Sequence, residues 1–201
     1  MSKSDRAIIA PIRRRVERMS LTTWVRPQLA ALVKAAPDGP DWLHEIKLDG
    51  YRMYARFDAG RVQILTRRGN DWTQKYPAIT KAIAGLPAED AYLDGELCGV
   101  PPDGRTAFSL IQNATDAGQG SLVFFVFDLL FFGWPGHLRP AAGGPQDSVE
   151  GAPGRSTRVA PYNDHQIGQS PAFHRLACEH CLEGIVSKRI DGRYEPVGAH
   201  G

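Results

Sequence analysis

Alternating apolar and polar side chains at residues 51–57 constrain the fold more than any other feature of the chain. A period of two is typical of a β-strand with one buried face. The apolar face carries Tyr51, Met53, Ala55 and Phe57. Residues 58–61 include a glycine and lead into a second apolar run at residues 62–65, which predicts a hairpin. The sequence therefore predicts an antiparallel β-sheet in this part of the chain.

A lysine just before this hairpin has the surroundings of a candidate nucleophile. Residues 42–46 alternate in the manner of a strand, and Lys47 follows directly. The next five residues supply an acid, a glycine and an arginine, namely Asp49, Gly50 and Arg52. A nucleophilic lysine needs burial or nearby positive charge to lower its pKa, and Arg52 is one source of that charge. The spacing predicts that Lys47 and Arg52 lie at the ends of neighbouring strands of one sheet, and a solvated lysine at a strand edge is the alternative.

Acidic residues within another predicted strand indicate a second part of the site. Residues 91–98 have the composition of a strand, and Asp94 and Glu96 lie in its middle. A buried carboxylate is costly unless a cation or a polar group meets it, and a metal ion or ribose hydroxyls would do so. We therefore predict that Glu96 is a site residue, with an exposed position at the sheet edge as the alternative.

The remaining predicted elements are two further strands and three helices. The strands are residues 122–130 and 182–188, and the helices are residues 76–83, 108–113 and 170–177. The last strand would deliver Glu183 and Lys188. Because these two residues are five positions apart, a regular strand would place them on opposite faces unless it twists or bulges.

Length and composition predict one globular domain. A chain of 201 residues, 42% hydrophobic and 23% charged, can bury one sizeable core. The net charge of +2 neither requires nor excludes nucleic acid, since binding depends on where the cations cluster. The most apolar run, residues 122–132, is interrupted by Asp128 and is too short to span a bilayer. The first 18 residues lack the apolar core of a signal peptide, so we expect a cytoplasmic protein without a membrane segment.

The cysteines predict neither a disulfide framework nor a strong metal motif. The chain has three cysteines, and an odd number does not make a secreted disulfide scaffold. Cys178 and Cys181 form a Cys-x-x-Cys pair close to His174 and His180, but no second ligand pair accompanies them. We therefore expect packing of His174, Cys178 and Cys181 on one buried helix face rather than zinc binding.

Five segments, in order, resemble the motifs of the covalent nucleotidyltransferases, the superfamily of DNA ligases, RNA ligases and mRNA capping enzymes. They are residues 47–52, 66–70, 94–97, 125–130 and 183–188, the first of which matches Lys-x-Asp-Gly-x-Arg. Residues 45–52 and 183–189 are most similar to the ATP-dependent ligase module of bacterial end-joining ligases. The resemblance extends over residues 24–196.

This resemblance implies an α+β fold in which two antiparallel β-sheets pack with flanking helices around a nucleotide pocket. The implied organisation is a basic N-terminal arm at residues 1–22, an adenylation domain at residues 23–196, and a short tail at residues 197–201 without a C-terminal oligonucleotide-binding-fold domain. An irregular insert at residues 139–160 interrupts the adenylation domain. Glycine, proline and serine are frequent there and no apolar periodicity survives, so we expect this insert to be disordered or altered relative to its relatives.

The resemblance also implies the chemistry. An ATP-dependent DNA ligase forms a covalent lysyl-AMP and passes AMP to a 5′-phosphate end of nicked or broken double-stranded DNA during repair and recombination. Lys47 would be the nucleophile and Asp49 its catalytic partner. The implied nucleotide-binding residues are Glu45, Ile46, Arg52, Arg67, Glu96, Phe127 and Lys188, with Phe127 stacked on the adenine. Glu96 and Glu183 would hold Mg²⁺ or Mn²⁺.

Several expectations concern partners and alternatives. We expect a monomer in a bacterial cytoplasm, associated with the nucleoid, and end-joining proteins or a separate oligonucleotide-binding-fold domain as partners. A truncated tail without the Lys-x-Lys element of related ligases is expected to impair complete ligation. The alternatives are a non-catalytic nucleotide- or DNA-end-binding relic and an RNA ligase-like nucleotidyltransferase. An NAD-dependent ligase is disfavoured, because no nicotinamide-handling domain fits ahead of Lys47.

Overall fold

Two β-sheets form the frame of the fold. The computed structural model describes residues 24–58, 60–86, 88, 90–100, 121–133, 159–160 and 165–196. The predicted basic arm at 1–22, helix at 108–113, tail at 197–201 and insert up to residue 158 lie outside the described residues. The last two residues of that predicted insert, Val159–Ala160, are described and form a short strand.

The first sheet, in the described part of the chain, has three strands and the second has five. The strands are β1 (Trp42–Ile46), β2 (Tyr51–Asp58), β3 (Arg61–Thr66), β4 (Asp90–Val100), β5 (Ser121–Gly133), β6 (Val159–Ala160), β7 (His165–Ile167) and β8 (Ile185–Arg189). Their order is β7-β1-β8 in the first sheet and β3-β2-β4-β5-β6 in the second. Every neighbouring pair is antiparallel except β5 and β6, which run parallel. The predicted α+β fold with two antiparallel sheets is confirmed.

Two α-helices accompany the sheets in the described residues, at the predicted positions. Helix α1 spans Pro77–Ala84, after a 3-10 turn at Thr73–Lys75, and begins with a proline whose missing N–H is not needed there. Helix α2 spans Ser170–Glu179 and contacts the first sheet. No described helix has the length and apolar character needed to cross a membrane.

Each face of the second sheet buries its own apolar cluster. Helix α1 contributes Ile79 and Ile83 to the larger cluster, together with the predicted apolar face of β2. The opposite face of the sheet carries a smaller cluster of Val25, Tyr54, Leu65, Tyr92 and Leu130, against which Trp24 and Tyr194 pack. The two-residue alternation of β2 therefore separates two apolar layers, rather than one apolar layer from solvent.

Lys47 and Arg52 do not lie at the ends of neighbouring strands in one sheet, and that prediction was wrong. Strand β1 belongs to the first sheet and β2 to the second. Residues 47–50 cross between the sheets, and Gly50 lies so close to β4 that a Cβ there would be 2.4 Å from the Leu97 carbonyl oxygen. The alternation of side chains predicted each strand, but it carries no information about the strand's partner. In the structure, the close approach of Gly50 to β4 places the start of β2 in the second sheet.

The expected burial of the cysteine-containing helix face was also wrong. Cys178 and Cys181 are both exposed free thiols, and His174 is exposed as well. Helix α2 ends at Glu179, so Cys181 lies beyond its last turn, and the residues of this helix that are buried are Ser170 and Ala177. Ser170 is held by the segment before β1, because its hydroxyl donates to the Ala36 carbonyl at 3.2 Å.

Gly95, in the middle of β4, is expected to tolerate no side chain. A Cβ there would be 2.4 Å from the Phe125 carbonyl oxygen and 2.8 Å from the Phe124 ring. We predict that Gly95→Ala lowers the free energy of unfolding by about 2 kcal/mol in urea titrations, because the backbone of β5 must move. Gly85→Ala is the matched control, since its Cβ would make only an ordinary contact of 3.4 Å. Equal losses in both variants would contradict the steric argument.

Candidate active site

Lys47 lies where the chain leaves the first sheet. Its backbone N–H donates to the Gly184 carbonyl at 2.9 Å, just before β8, and its amine forms an ion pair with the Glu183 carboxylate. Both side chains are about half exposed, at 47% and 44%. Gly184 has a φ of 147°, a conformation that favours glycine. Glu183 therefore precedes the strand rather than lying in it, so that the five-residue spacing to Lys188 does not set the two side chains on opposite faces of one strand.

Lys188 joins the two sheets. Its amine lies 2.8 Å from Glu45 Oε2 on β1 and 3.4 Å from Asp128 Oδ2 on β5. It also donates to the Phe127 carbonyl at 3.1 Å. The Lys188 side chain is only 14% exposed, and Glu45 is buried. This cation is thus held at the junction of the sheets by acceptors from both.

Phe127 lies at an irregularity of β5, and two cations lie near its ring. Asp94 pairs with Asp128, whereas the next residue of β4, Gly95, pairs with Val126, so Phe127 is the extra residue of a β-bulge. The ring centroid is 5.0 Å from the Lys188 amine and 5.3 Å from the Arg52 guanidinium carbon. A flat ring flanked by two cations suits a ligand that combines an aromatic base with phosphates.

Arg52 is fixed by a fully buried carboxylate. Its Nε and Nη2 donate to the two Asp94 carboxylate oxygens at 3.1 and 2.7 Å, and its Nη1 donates to the Gln28 carbonyl at 2.7 Å. Burial raises the pKa of Asp94, and the Arg52 guanidinium opposes that rise. The sequence showed an acid in this strand, but it did not identify Asp94 as the partner of Arg52. The strand register is the information that was missing, since Arg52 pairs with Glu96, one position along the same face from Asp94.

Glu96 lies opposite Arg52 and faces the same region as Lys47. Burial raises the pKa of Glu96 to about 8, while the Arg52 and Lys47 cations lower it and the Asp94 and Glu183 carboxylates raise it further. Among the described residues, no group of three or more histidines, cysteines and acids is arranged to hold a metal. Mg²⁺, however, often takes only one or two protein carboxylates and completes its shell with substrate phosphates and water. Glu96 and Glu183 therefore fit a divalent cation that arrives with a polyphosphate.

Three further predicted site residues are Ile46, Asp49 and Arg67. Ile46 is half-buried at the end of β1, and Asp49 is half-buried in the crossing segment. Arg67 is exposed in the turn after β3, which is held by the Asn70 N–H donating to Thr66 Oγ1 at 3.1 Å. The structure thus brings predicted residues of β1, β2, β4, β5 and β8 together. Arg67 is not among the described residues that contact this group.

The raised pKa of Glu96 predicts a pH-dependent stability in the metal-free protein. The folded state keeps the proton up to about pH 8, whereas the ordinary value is 4.5. The contribution of Glu96 to the free energy of unfolding is therefore fully present below pH 4.5 and is lost as the pH rises toward 8. In urea titrations with a chelator, we expect the wild type to lose about 5 kcal/mol across this window and Glu96→Gln to lose much less. Glu179→Gln, at the exposed end of α2, should keep the wild-type slope, and identical slopes in all three proteins would contradict the assignment.

Comparison with known proteins gives one consistent picture. The family model described as an ATP-dependent DNA ligase domain matches residues 27–139. The chain is 35% identical over 173 residues to the multifunctional non-homologous end joining protein LigD of Pseudomonas aeruginosa, covering 85% of this chain and 20% of that protein. It spans about one fifth of the length of that relative. The crystal structure of the ligase domain of Mycobacterium tuberculosis LigD is similar, with a TM-score of 0.67 and 27% identity over 86% of this chain and 56% of that one. A mycobacterial DNA ligase D complexed with ATP matches with a TM-score of 0.64, 27% identity and the same coverage.

Proposed function

The chain belongs to the ATP-dependent DNA ligase domain family, and from that membership we propose that Lys47 becomes covalently attached to AMP and that the AMP is passed to a DNA end. The single observation that supports this most is the position of the Lys47 amine. It contacts the Glu183 carboxylate where the chain leaves the first sheet, and the Glu96 carboxylate interacts electrostatically with Lys47, Glu183 and Arg52. We propose residues 23–196 as the adenylation domain that carries this reaction.

In the proposed first step, the Lys47 ammonium of the ion pair gives one proton to solvent, and the neutral amine attacks the α-phosphorus of ATP. An N–P bond forms, the bond to the bridging oxygen breaks, pyrophosphate leaves with the electron pair of that bond, and the nitrogen releases a second proton to solvent. Glu183 contacts the amine and orients it, and Asp49 lies two residues further along the same segment and supports that geometry. The product is a lysyl-AMP phosphoramidate.

The proposed nucleotide contacts use the site residues predicted from the sequence. We propose that Phe127 stacks on the adenine, and that Glu45, Ile46 and Arg67 contact the nucleoside. Arg52 and Lys188 would stabilise phosphate oxygens, because their guanidinium and ammonium groups already lie within 5.3 and 5.0 Å of the Phe127 ring centroid. Glu96 and Glu183 would hold Mg²⁺ or Mn²⁺, which when bound neutralises charge on the polyphosphate.

The later steps complete ligation. A 5′-phosphate oxygen of nicked or broken double-stranded DNA attacks the α-phosphorus of lysyl-AMP and regenerates the amine, and a 3′-hydroxyl then displaces AMP. The similarity to a multifunctional end-joining protein supports a role in sealing breaks during DNA repair. We propose that the chain acts on bacterial DNA in the nucleoid, together with other end-joining components.

Labelling with two forms of ATP tests the proposal. The protein should take up an acid-labile, alkali-stable label from ATP that carries the isotope at the α-phosphorus, in the presence of Mg²⁺ or Mn²⁺. It should take up none from ATP labelled at the γ-phosphorus, since that phosphate leaves with pyrophosphate. ATP binding without any α-label would remove the enzymatic proposal and would favour a non-catalytic nucleotide-binding protein.

A further inference from the structure

A closed ring of hydrogen bonds supports Arg52 from behind, and its fourth member, Tyr194, follows the last strand. Arg52 Nη1 donates to the Gln28 carbonyl at 2.7 Å, and the Gln28 N–H donates to the Tyr194 hydroxyl at 3.0 Å. The Tyr194 hydroxyl donates to Asp94 Oδ2 at 2.8 Å, and that same oxygen accepts from Arg52 Nη2 at 2.7 Å. The ring therefore links the segment before β1, the segment after β8, and strands β2 and β4.

The Tyr194 hydroxyl is fully used in this arrangement. Its single hydrogen is donated to Asp94, so the Tyr54 hydroxyl at 3.3 Å must be the donor in the contact between the two phenols. Together with the Gln28 N–H, Tyr54 occupies the acceptor sites of this oxygen. The Tyr194 hydroxyl therefore cannot move without breaking its hydrogen bonds to Asp94, to the Gln28 N–H and to Tyr54.

Apolar packing alone does not account for this arrangement. The Tyr194 ring packs against the smaller apolar cluster, as the Tyr92 ring does. The Tyr92 hydroxyl accepts from the Val25 N–H at 3.2 Å, so it too holds the segment before β1. Tyr194 differs from Tyr92 because its hydroxyl also bonds Asp94, the carboxylate that grips Arg52.

We propose that Tyr194 is a positioning residue for nucleotide binding, which fixes the Arg52 guanidinium beside Phe127 through Asp94 and Gln28. This inference rests on the proposed function, because the bound group would be the ATP of the first step. Removal of the hydroxyl takes the hydrogen-bond acceptor from the Gln28 N–H and one donor from Asp94. Both acceptors of Arg52 are then held less firmly, so that the direction of the guanidinium is less fixed while its charge remains.

The test compares Tyr194→Phe with Tyr92→Phe in the full chain. Each variant removes one hydrogen-bonded hydroxyl at the same apolar cluster and keeps the ring, Tyr92 being buried and Tyr194 half-buried. We expect Tyr194→Phe to raise the KM for ATP in the labelling reaction about tenfold, with kcat within about twofold of the wild type. Tyr92→Phe should change both parameters less than about twofold. A merely structural role would reduce the folded fraction, and so lower kcat with KM unchanged, which would overturn the inference.

Calorimetric titration with ATP separates this inference from the proposed function. Tyr194→Phe should bind ATP about tenfold more weakly than Tyr92→Phe, whether or not label is transferred. A labelled wild type with equal ATP affinity in both variants would overturn the positioning role and leave the proposed function intact. If the wild type takes up no label, but ATP binding is weaker in Tyr194→Phe and not in Tyr92→Phe, the proposed function is overturned and the positioning role stands. No ATP binding by the wild type would overturn both.

Discussion

Replacing Lys47 with alanine is expected to abolish covalent labelling by α-labelled ATP, with a loss of at least about a thousandfold in the rate of adenylation. The Lys47 amine provides the atom that bonds to phosphorus, and no neighbouring group in the described site replaces it. Lys188, the other amine beside Phe127, is held by Glu45 and Asp128 and is only 14% exposed. The measurement is the label retained on the denatured protein after electrophoresis, followed over time for both proteins.

A control lysine and a binding measurement make this result specific. Lys81 lies exposed in the last turn of α1, and Lys81→Ala should be labelled at the wild-type rate. Lys47→Ala should still bind ATP within about tenfold of the wild type, because Phe127, Arg52 and Lys188 remain in place. Label that persists in Lys47→Ala would mean that another residue is the nucleophile.

The periodic segments of the chain made most of the fold predictable. The alternation of residues 51–57 gave β2, the glycine-containing turn gave the hairpin to β3, and the apolar run at 122–130 gave β5. Each of these features is local, since it depends on side chains a few positions apart. The two described helices followed in the same way, because apolar side chains repeat at helical spacing in both and Pro171 marks the first turn of α2.

The partners across the two sheets were not predictable from these patterns. Alternation of apolar and polar side chains indicates that a segment is extended, but it does not indicate which strand the segment pairs with. Lys47 and Arg52 were therefore wrongly assigned to one sheet. The assignment of Arg52 to Asp94 needs the register of β2 against β4, which no local pattern fixes. Tyr194 gave no signal at all, because its role depends on contacts with Gln28 and Asp94, 166 and 100 residues away along the chain.

Removing the buried carboxylate beneath the site is expected to cause the largest loss of stability. Asp94 is fully buried, and Arg52, whose side chain is 21% exposed, donates to both of its oxygens. Asp94→Ala leaves a largely buried guanidinium without its counter-charge and the Tyr194 hydroxyl without its acceptor. We expect the free energy of unfolding to fall by about 4 kcal/mol, measured by urea titration, since breaking a buried ion pair costs much more than the net value of the pair.

Another arginine–aspartate pair, in the described part of the chain, provides the matched control for this loss. Arg189 donates to Asp191 at 2.9 and 3.1 Å through Nε and Nη2, the same two atoms that Arg52 uses, but the Arg189 and Asp191 side chains are 51% and 71% exposed. Water solvates both groups when the exposed pair is broken, so Asp191→Ala should leave the unfolding transition unchanged within error. Burial rather than hydrogen-bond geometry would then be the cause of the difference. Similar losses in Asp94→Ala and Asp191→Ala would contradict that, and a stable Asp94→Ala protein would show that Arg52 can reach solvent or another acceptor when its carboxylate is removed.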